Sequence, residues 1–104
     1  MKRQEVASFY KDLSSYAGKT VTVCGWARSI RDSKTLGFID LNDGTSFKGV
    51  QIVFEDGKID NFKEIASQNV GAALRVTGTL LATPEAKQPF EIHASEIVVE
   101  GAST

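Results

Sequence analysis

With 104 residues, 41% of them hydrophobic, and a net charge of −1, the chain can bury one ordinary core but is too nearly neutral to coat nucleic acid indiscriminately through phosphate contacts. Its single cysteine, Cys24, excludes an internal disulfide, and with the single histidine, His93, cannot build a zinc site unaided. No apolar run approaches the ~20 residues of a membrane helix, and Met1-Lys2-Arg3-Gln4-Glu5 lacks the apolar core of a secretion signal, so one cytoplasmic domain is expected. The charge is uneven: residues 1–34 carry seven Lys or Arg against three acids, and residues 35–104 carry five against ten.

Val6, Phe9, Tyr10, Leu13 and Ala17 recur at helical spacing and predict a short amphipathic N-terminal helix that covers part of a sheet, ending at the turn residue Gly18. A long strand follows. Val21 and Val23 alternate with Thr22 and Cys24, Gly25 marks a bend, and Trp26 is expected in the core there because indole buries so much apolar area. After the polar turn Arg31 to Thr35, a second strand runs from Leu36 to Asn42, with Ile39 and Leu41 on one face and Phe38 and Asp40 on the other. Asn42-Asp43-Gly44-Thr45 is a strong turn signal, and a third strand is expected from Phe47 to Phe54, with Val50, Ile52 and Phe54 inward and Gln51 outward. Ile59, Phe62, Ile65, Ala66 and Val70 then predict a helix over 60–69, with Asn61 and Glu64 at capping-box spacing and Gly71 as a stop. A fourth strand spans Ala72 to Ala82, with Gly78 a bend or close-packing point. The turn Thr83 to Pro89 leads to a fifth, whose apolar phase shifts from Phe90, Ile92 and Ala94 to Ile97 and Val99. A bulge near Ser95-Glu96 would keep both sets inward.

The order strand, strand, strand, helix, strand, strand is that of the oligonucleotide- and oligosaccharide-binding (OB) fold, a five-stranded Greek-key barrel that binds across its second and third strands and adjoining loops. Residues 1–100 are read as that domain and 101–104 as a tail or the start of a hinge.

A catalytic constellation is not apparent. His93 faces away from the apolar stripe of its strand, Asp32, Asp43 and Asp56 occupy turns where aspartate is favoured for backbone reasons, and neither GxGxxG nor a Walker A loop occurs. For binding, Phe38 is the sharpest residue: an aromatic on a polar face is either a stacking platform for an unpaired base or a ring covered by a helix or loop. Gln51, beside it, could hydrogen-bond a base edge. Arg28 and Arg31 differ in strand parity, so without a bulge they face opposite sides, and spacing does not choose between them.

The runs Val21-Thr22-Val23-Cys24-Gly25-Trp26, Arg28-Ser29-Ile30-Arg31-Asp32-Ser33-Lys34-Thr35, Gly37-Phe38-Ile39-Asp40-Leu41-Asn42-Asp43-Gly44, Phe47-Lys48 and Gln51-Ile52-Val53-Phe54 resemble the N-terminal anticodon-binding domain of class IIb aminoacyl-tRNA synthetases, in particular the asparaginyl branch. The aspartyl branch typically has Arg-Arg-Arg-Asp and Leu-Arg-Asp at the corresponding places. The resemblance implies that Phe38 stacks on the central uridine of a G-U-U anticodon, that Gln51 and Arg31 contact anticodon bases, that Arg28 touches backbone or a flanking base, and that Lys87 and Gln88 approach the anticodon's edge. It implies no cofactor for this domain, ATP and magnesium being used by a catalytic domain elsewhere in a homodimeric parent ligase, and asparagine tRNA as partner. The chain alone, expected to be monomeric, would not aminoacylate. The alternatives are a free-standing nucleic-acid or protein-interaction module on the same fold, and the anticodon domain of an aspartyl-type synthetase.

Overall fold

The computed structural model describes residues 3–86 and 88–102. Two short helices, α1 (Val6–Lys11) and α2 (Leu13–Tyr16), precede strands β1 (Thr20–Asp32), β2 (Leu36–Asn42) and β3 (Val50–Glu55); helix α3 (Phe62–Ala66) then separates these from β4 (Ala73–Ala82) and β5 (Phe90–Gly101). The sheet closes into a barrel in the order β1-β2-β3-β5-β4, with β4 returning to β1. Neighbours are antiparallel except β3 and β5, which pair in parallel over Gln51–Glu91, Ile52–Ile92 and Val53–His93. No helix among the described residues is long and apolar enough to cross a membrane. This is the mainly β, five-stranded architecture expected from the element order.

Alternation along the strands explains the closure. Val21, Val23 and Ala27, Ile39 and Leu41, Val50, Ile52 and Phe54, Leu74, Val76 and Leu80, and Phe90, Ile92, Ala94 and Ile97 all point into one core. Helix α3 adds Phe62 and Ile65, with the Phe62 ring 5.2 Å from that of Phe54. Helix α1 adds Val6 and Phe9, and Phe9 meets Tyr16 and Phe90 edge-on. Each large side chain so buried contributes ~1.5–3 kcal/mol.

Several local expectations are corrected. The N-terminal helix is broken at Asp12, whose backbone leaves the helical region (φ −149, ψ 64). Its carboxylate accepts hydrogen bonds from Ser15 at 2.6 Å and Ser14 at 3.2 Å, and the Ser15 hydroxyl in particular holds its pKa below the usual value. Helix α3 is shorter than 60–69, and its capping box does not form. The Asn61 amide donates instead to Glu64 at 2.8 Å and to the Ile97 carbonyl at 3.0 Å, tying the helix to β5. The third strand begins at Val50, so Phe47, Lys48 and Gly49 belong to the preceding loop. Strand β5 reaches Gly101, which pairs with Ala73. The expected bulge is present: Thr77 faces Glu96 and Gly78 faces Ala94, leaving Ser95 over and both apolar sets inward.

Trp26 is not in the core but 44% exposed. Strand parity decides this: Val21, Val23, Gly25 and Ala27 share the inward phase, and Trp26 the outward one. Gly25 takes the inward place at the bend because a side chain there would run into the Asn42 carbonyl.

Candidate nucleic-acid interface

Two rows of side chains cross the outer face of the barrel. Strand pairing aligns Arg31, Phe38, Val53 and His93 in one, and Ser29, Asp40, Gln51 and Glu91 in the next. Ser29 rather than Arg28 stands opposite Asp40 in the second row because β1 is bulged. Ala27 pairs with Leu41 and Ser29 with Asp40, so Arg28 is the additional residue. The bulge resets the parity of the strand, and Arg28 and Arg31, which an unbroken strand would point to opposite sides, both lie on the exposed side with Ile30 facing inward between Ser29 and Arg31.

Phe38 is half-buried and outside the core cluster. The exposed Arg31 guanidinium lies over its ring, 5.4 Å from the centroid, within the range of a cation–π contact. One row away, the Gln51 amide nitrogen donates to Glu91 Oε2 at 3.2 Å, while Glu91 Oε1 is 2.8 Å from His93 Nε2. A carboxylate only accepts, so Glu91 dictates that the amide nitrogen of Gln51 faces β5 and leaves its oxygen free to accept from a ligand.

Beyond Asp40 the face continues into a groove of ≈ 310 Å³ between the β2–β3 and β4–β5 loops, lined by Arg28, Asp40, Phe47, Lys48 and Gln88 with Tyr10 at its base. The β2–β3 loop is pinned. Asp43 accepts from the Val6 N–H at 2.9 Å and from the Thr45 hydroxyl at 2.6 Å, and the Ala7 N–H donates to Thr45 Oγ1 at 3.1 Å. Asn42 accepts from the Gly44 N–H at 2.7 Å and donates to the Ser46 carbonyl at 3.4 Å. Gly49 lies so close to the Asp40 carboxylate and the Leu41 carbonyl that a side chain there would collide with both. Its own carbonyl accepts from the Tyr10 hydroxyl at 2.8 Å. Burial, and secondarily the negative charge of Asp40, raise the Tyr10 pKa above the phenolic norm and keep that donor protonated.

Among the residues singled out from sequence, Phe38, Arg31 and Gln51 therefore share adjoining rows, and Arg28 and Gln88 share the neighbouring groove. Lys87 lies outside the described residues. Sequence reasoning passed over Glu91, which outward parity opposite Ile92 marks as surface but which only the parallel β3–β5 pairing brings to Gln51. It also passed over Phe47, 95% exposed, which lies in the loop before β3 where strand alternation gives no signal. His93, read as an ordinary surface histidine, is exposed as expected but sits at the end of the Phe38 row.

Residues 21–100 match the family model of the tRNA anticodon type described as an OB-fold nucleic acid binding domain. The chain is 54% identical over 104 residues to the asparagine–tRNA ligase of Acetivibrio thermocellus, covering all of this chain but 22% of that enzyme. Its fold is similar to asparaginyl-tRNA synthetase from Pyrococcus horikoshii complexed with asparaginyl-adenylate (TM-score 0.85, 19% identity, 100% of this chain and 23% of the other). It is likewise similar to Entamoeba histolytica asparaginyl-tRNA synthetase (TM-score 0.72, 30% identity, 89% of this chain and 23% of the other). With the matched segment running from the start of the Trp26 strand to the end of the barrel, the chain belongs to the OB-fold nucleic acid binding domain family of the tRNA anticodon type.

Proposed function

We propose that this chain is the anticodon-reading domain of an asparagine–tRNA ligase and that it recognises the G-U-U triplet of asparagine tRNA. ATP-dependent aminoacylation, with its magnesium, is assigned to the remainder of such a ligase, of which a segment like this one makes up 22%. The observation that carries the reading is the Arg31–Phe38 pair beside the Gln51 amide, an aromatic platform and a base-edge reader on adjoining rows of a barrel face. The central uridine stacks on Phe38 where Arg31 now covers the ring, and the displaced guanidinium, exposed at the surface, turns to the base or its phosphate. Gln51 accepts from the uridine N3–H through its free oxygen. Stacking and a well-placed edge contact are each worth ~1–3 kcal/mol.

Titrating the chain with stem-loops bearing G-U-U, and with the central uridine replaced by cytidine, tests this. Binding weaker by about tenfold or more for cytidine is expected, and equal affinity for both would sink the proposal. Phe38→Ala is expected to reduce binding of the G-U-U stem-loop to a similar extent at little cost in folding, because the ring lies outside the core. A stem-loop ending in G-U-C separates the asparagine reading from an aspartyl-type one, which would prefer it.

A further inference from the structure

Away from the reading rows, the first halves of β1 and β4 and the second half of β5 form another outer face. Register places Cys24, Arg75 and Val98 in one row across it, and Trp26, Ala73 and Gly101 in the next. One row further, the hydroxyls of Thr22 and Thr77 meet at 3.0 Å, which fixes the outward direction of all three rows. The indole of Trp26 is 44% exposed, and its row neighbours Ala73 and Gly101 have little or no side chain to shield it. On its other side the β2–β3 loop flanks it through Gly44, where a Cβ would lie 3.5 Å from the ring. Val70, 60% exposed, stands in the loop into β4, which the Gly71 N–H ties to the Ala27 carbonyl at 2.7 Å, next along the strand from the indole. The rim is polar: Arg75 and Glu100, the additional residue of the shift at Ala73, pair at 4.0 Å and are both half-exposed.

An indole held half out of its own barrel, among small neighbours and inside a polar rim, has the anatomy of a contact surface. Its size decides the kind of partner. One indole, two valines and two small residues bury far less than the roughly 1,600 Å² of a standard interface between separate proteins, so a free partner would not recover the cost of association. A segment of the same chain avoids most of that cost, because a short tether holds it at an effective concentration in the mM range. The backbone places such a tether at the patch: β5 brings Gly101 to Ala73, in the row of Trp26. We infer that this face seats the part of the ligase that follows the barrel, with an apolar side chain of that part laid against the indole and polar groups meeting Arg75 and Glu100. The inference rests on the proposed membership of an asparagine–tRNA ligase, of which a segment like this one makes up 22%. It concerns a face the reading rows do not use and needs no bound RNA.

Hydroxyl-radical footprinting, read by mass spectrometry on the ligase that carries this domain and on the 104-residue chain alone, tests it. Oxidation of Trp26 is expected to fall several-fold in the ligase, with the wholly exposed Phe47 as reference. Ala73→Lys sets a long charged side chain on the patch, pointing outward. The chain alone is then expected to unfold at nearly the same temperature, whereas in the ligase Trp26 regains the oxidation rate of the isolated chain. Equal oxidation of Trp26 in the two unaltered proteins overturns the inference, as does protection that survives Ala73→Lys. Protection that appears in the chain alone and grows with its concentration assigns the face to a second copy, and protection brought by the G-U-U stem-loop assigns it to RNA; either result overturns the inference too. A chain that discriminates the central uridine while Trp26 stays equally oxidised in the ligase keeps its reading function and loses this interface. Trp26 protected in the ligase without discrimination of the uridine leaves the interface and overturns the reading.

Discussion

Gln51 would be an ambiguous reader on its own, since an amide turned end for end exchanges a donor for an acceptor. Glu91 removes the ambiguity by accepting from the nitrogen at 3.2 Å. Glu91→Gln keeps the size and a hydrogen bond but can donate as well as accept, so it no longer dictates the direction of the Gln51 amide. Discrimination between uridine and cytidine at the central position is expected to fall about tenfold, with thermal unfolding showing a loss under ~1 kcal/mol. A variant that folds normally and discriminates as before would show that Glu91 does not orient the reader. The same residues mark how far sequence reasoning reaches. The outward parity of Phe38, Gln51 and Glu91 follows from the apolar alternation of their own strands. The hydrogen bond between two of them does not, because residues 51 and 91 become neighbours only through a parallel pairing that no local pattern encodes. Trp26 is the opposite case: parity placed it outside, and the area an indole can bury was given more weight than the phase of its strand.

At the scale of elements, the β2–β3 loop is the part most dependent on a distant partner. Helix α1 is six residues long and has no side-chain cap of its own, and its first N–H is met instead by Asp43 across the chain. Asp43→Ala leaves that N–H and the Thr45 hydroxyl without their acceptor, and a loss of about 1–2 kcal/mol in chemical denaturation is expected. Asp43→Asn, which keeps an acceptor oxygen, should lose less. No difference between the two would mean the loop is held by other contacts. Strand β2 matches its expected bounds, Leu36 to Asn42, because clear turn signals flank a clean alternation. The start of β3 was misjudged for a physical reason: Phe47 has high strand propensity, but strand pairing stops at Leu41–Val50, where Gly49 is wedged against the backbone of Leu41. The bulge at Arg28 carries no sequence signal of its own, and for that reason the two arginines could not be assigned to a face by spacing.

For the whole molecule, the near-neutral charge becomes a quantitative expectation. Among the described residues, Arg31 lies over Phe38, and Arg28 and Lys48 line the adjoining groove. Three phosphate contacts at most give a slope of log affinity against log salt of about −2 for a single-stranded loop. A slope several times steeper, measured by titration over a range of salt, would show binding dominated by phosphates elsewhere on the surface. The overall architecture was legible because one apolar period per strand and one helix in the middle leave few ways to close a barrel, whereas the register of that closure depended on three shifts, at Arg28 in β1, at Ser95 in β5 and where Ala73 meets Gly101.

The seam between β3 and β5 has a consequence for when the site exists at all. Only three residue pairs join these strands, and they include Gln51–Glu91 and Val53–His93, both on the reading face. The partners are forty positions apart in sequence and meet only once α3 and β4 have been laid between them. A partly closed barrel could keep the hairpin of β1 and β2, with Phe38 and Arg31 in place, and still present an amide of undefined direction. On the proposed function, competence to distinguish bases would be acquired with closure of the last seam, and an unfinished or locally opened molecule would stack without reading.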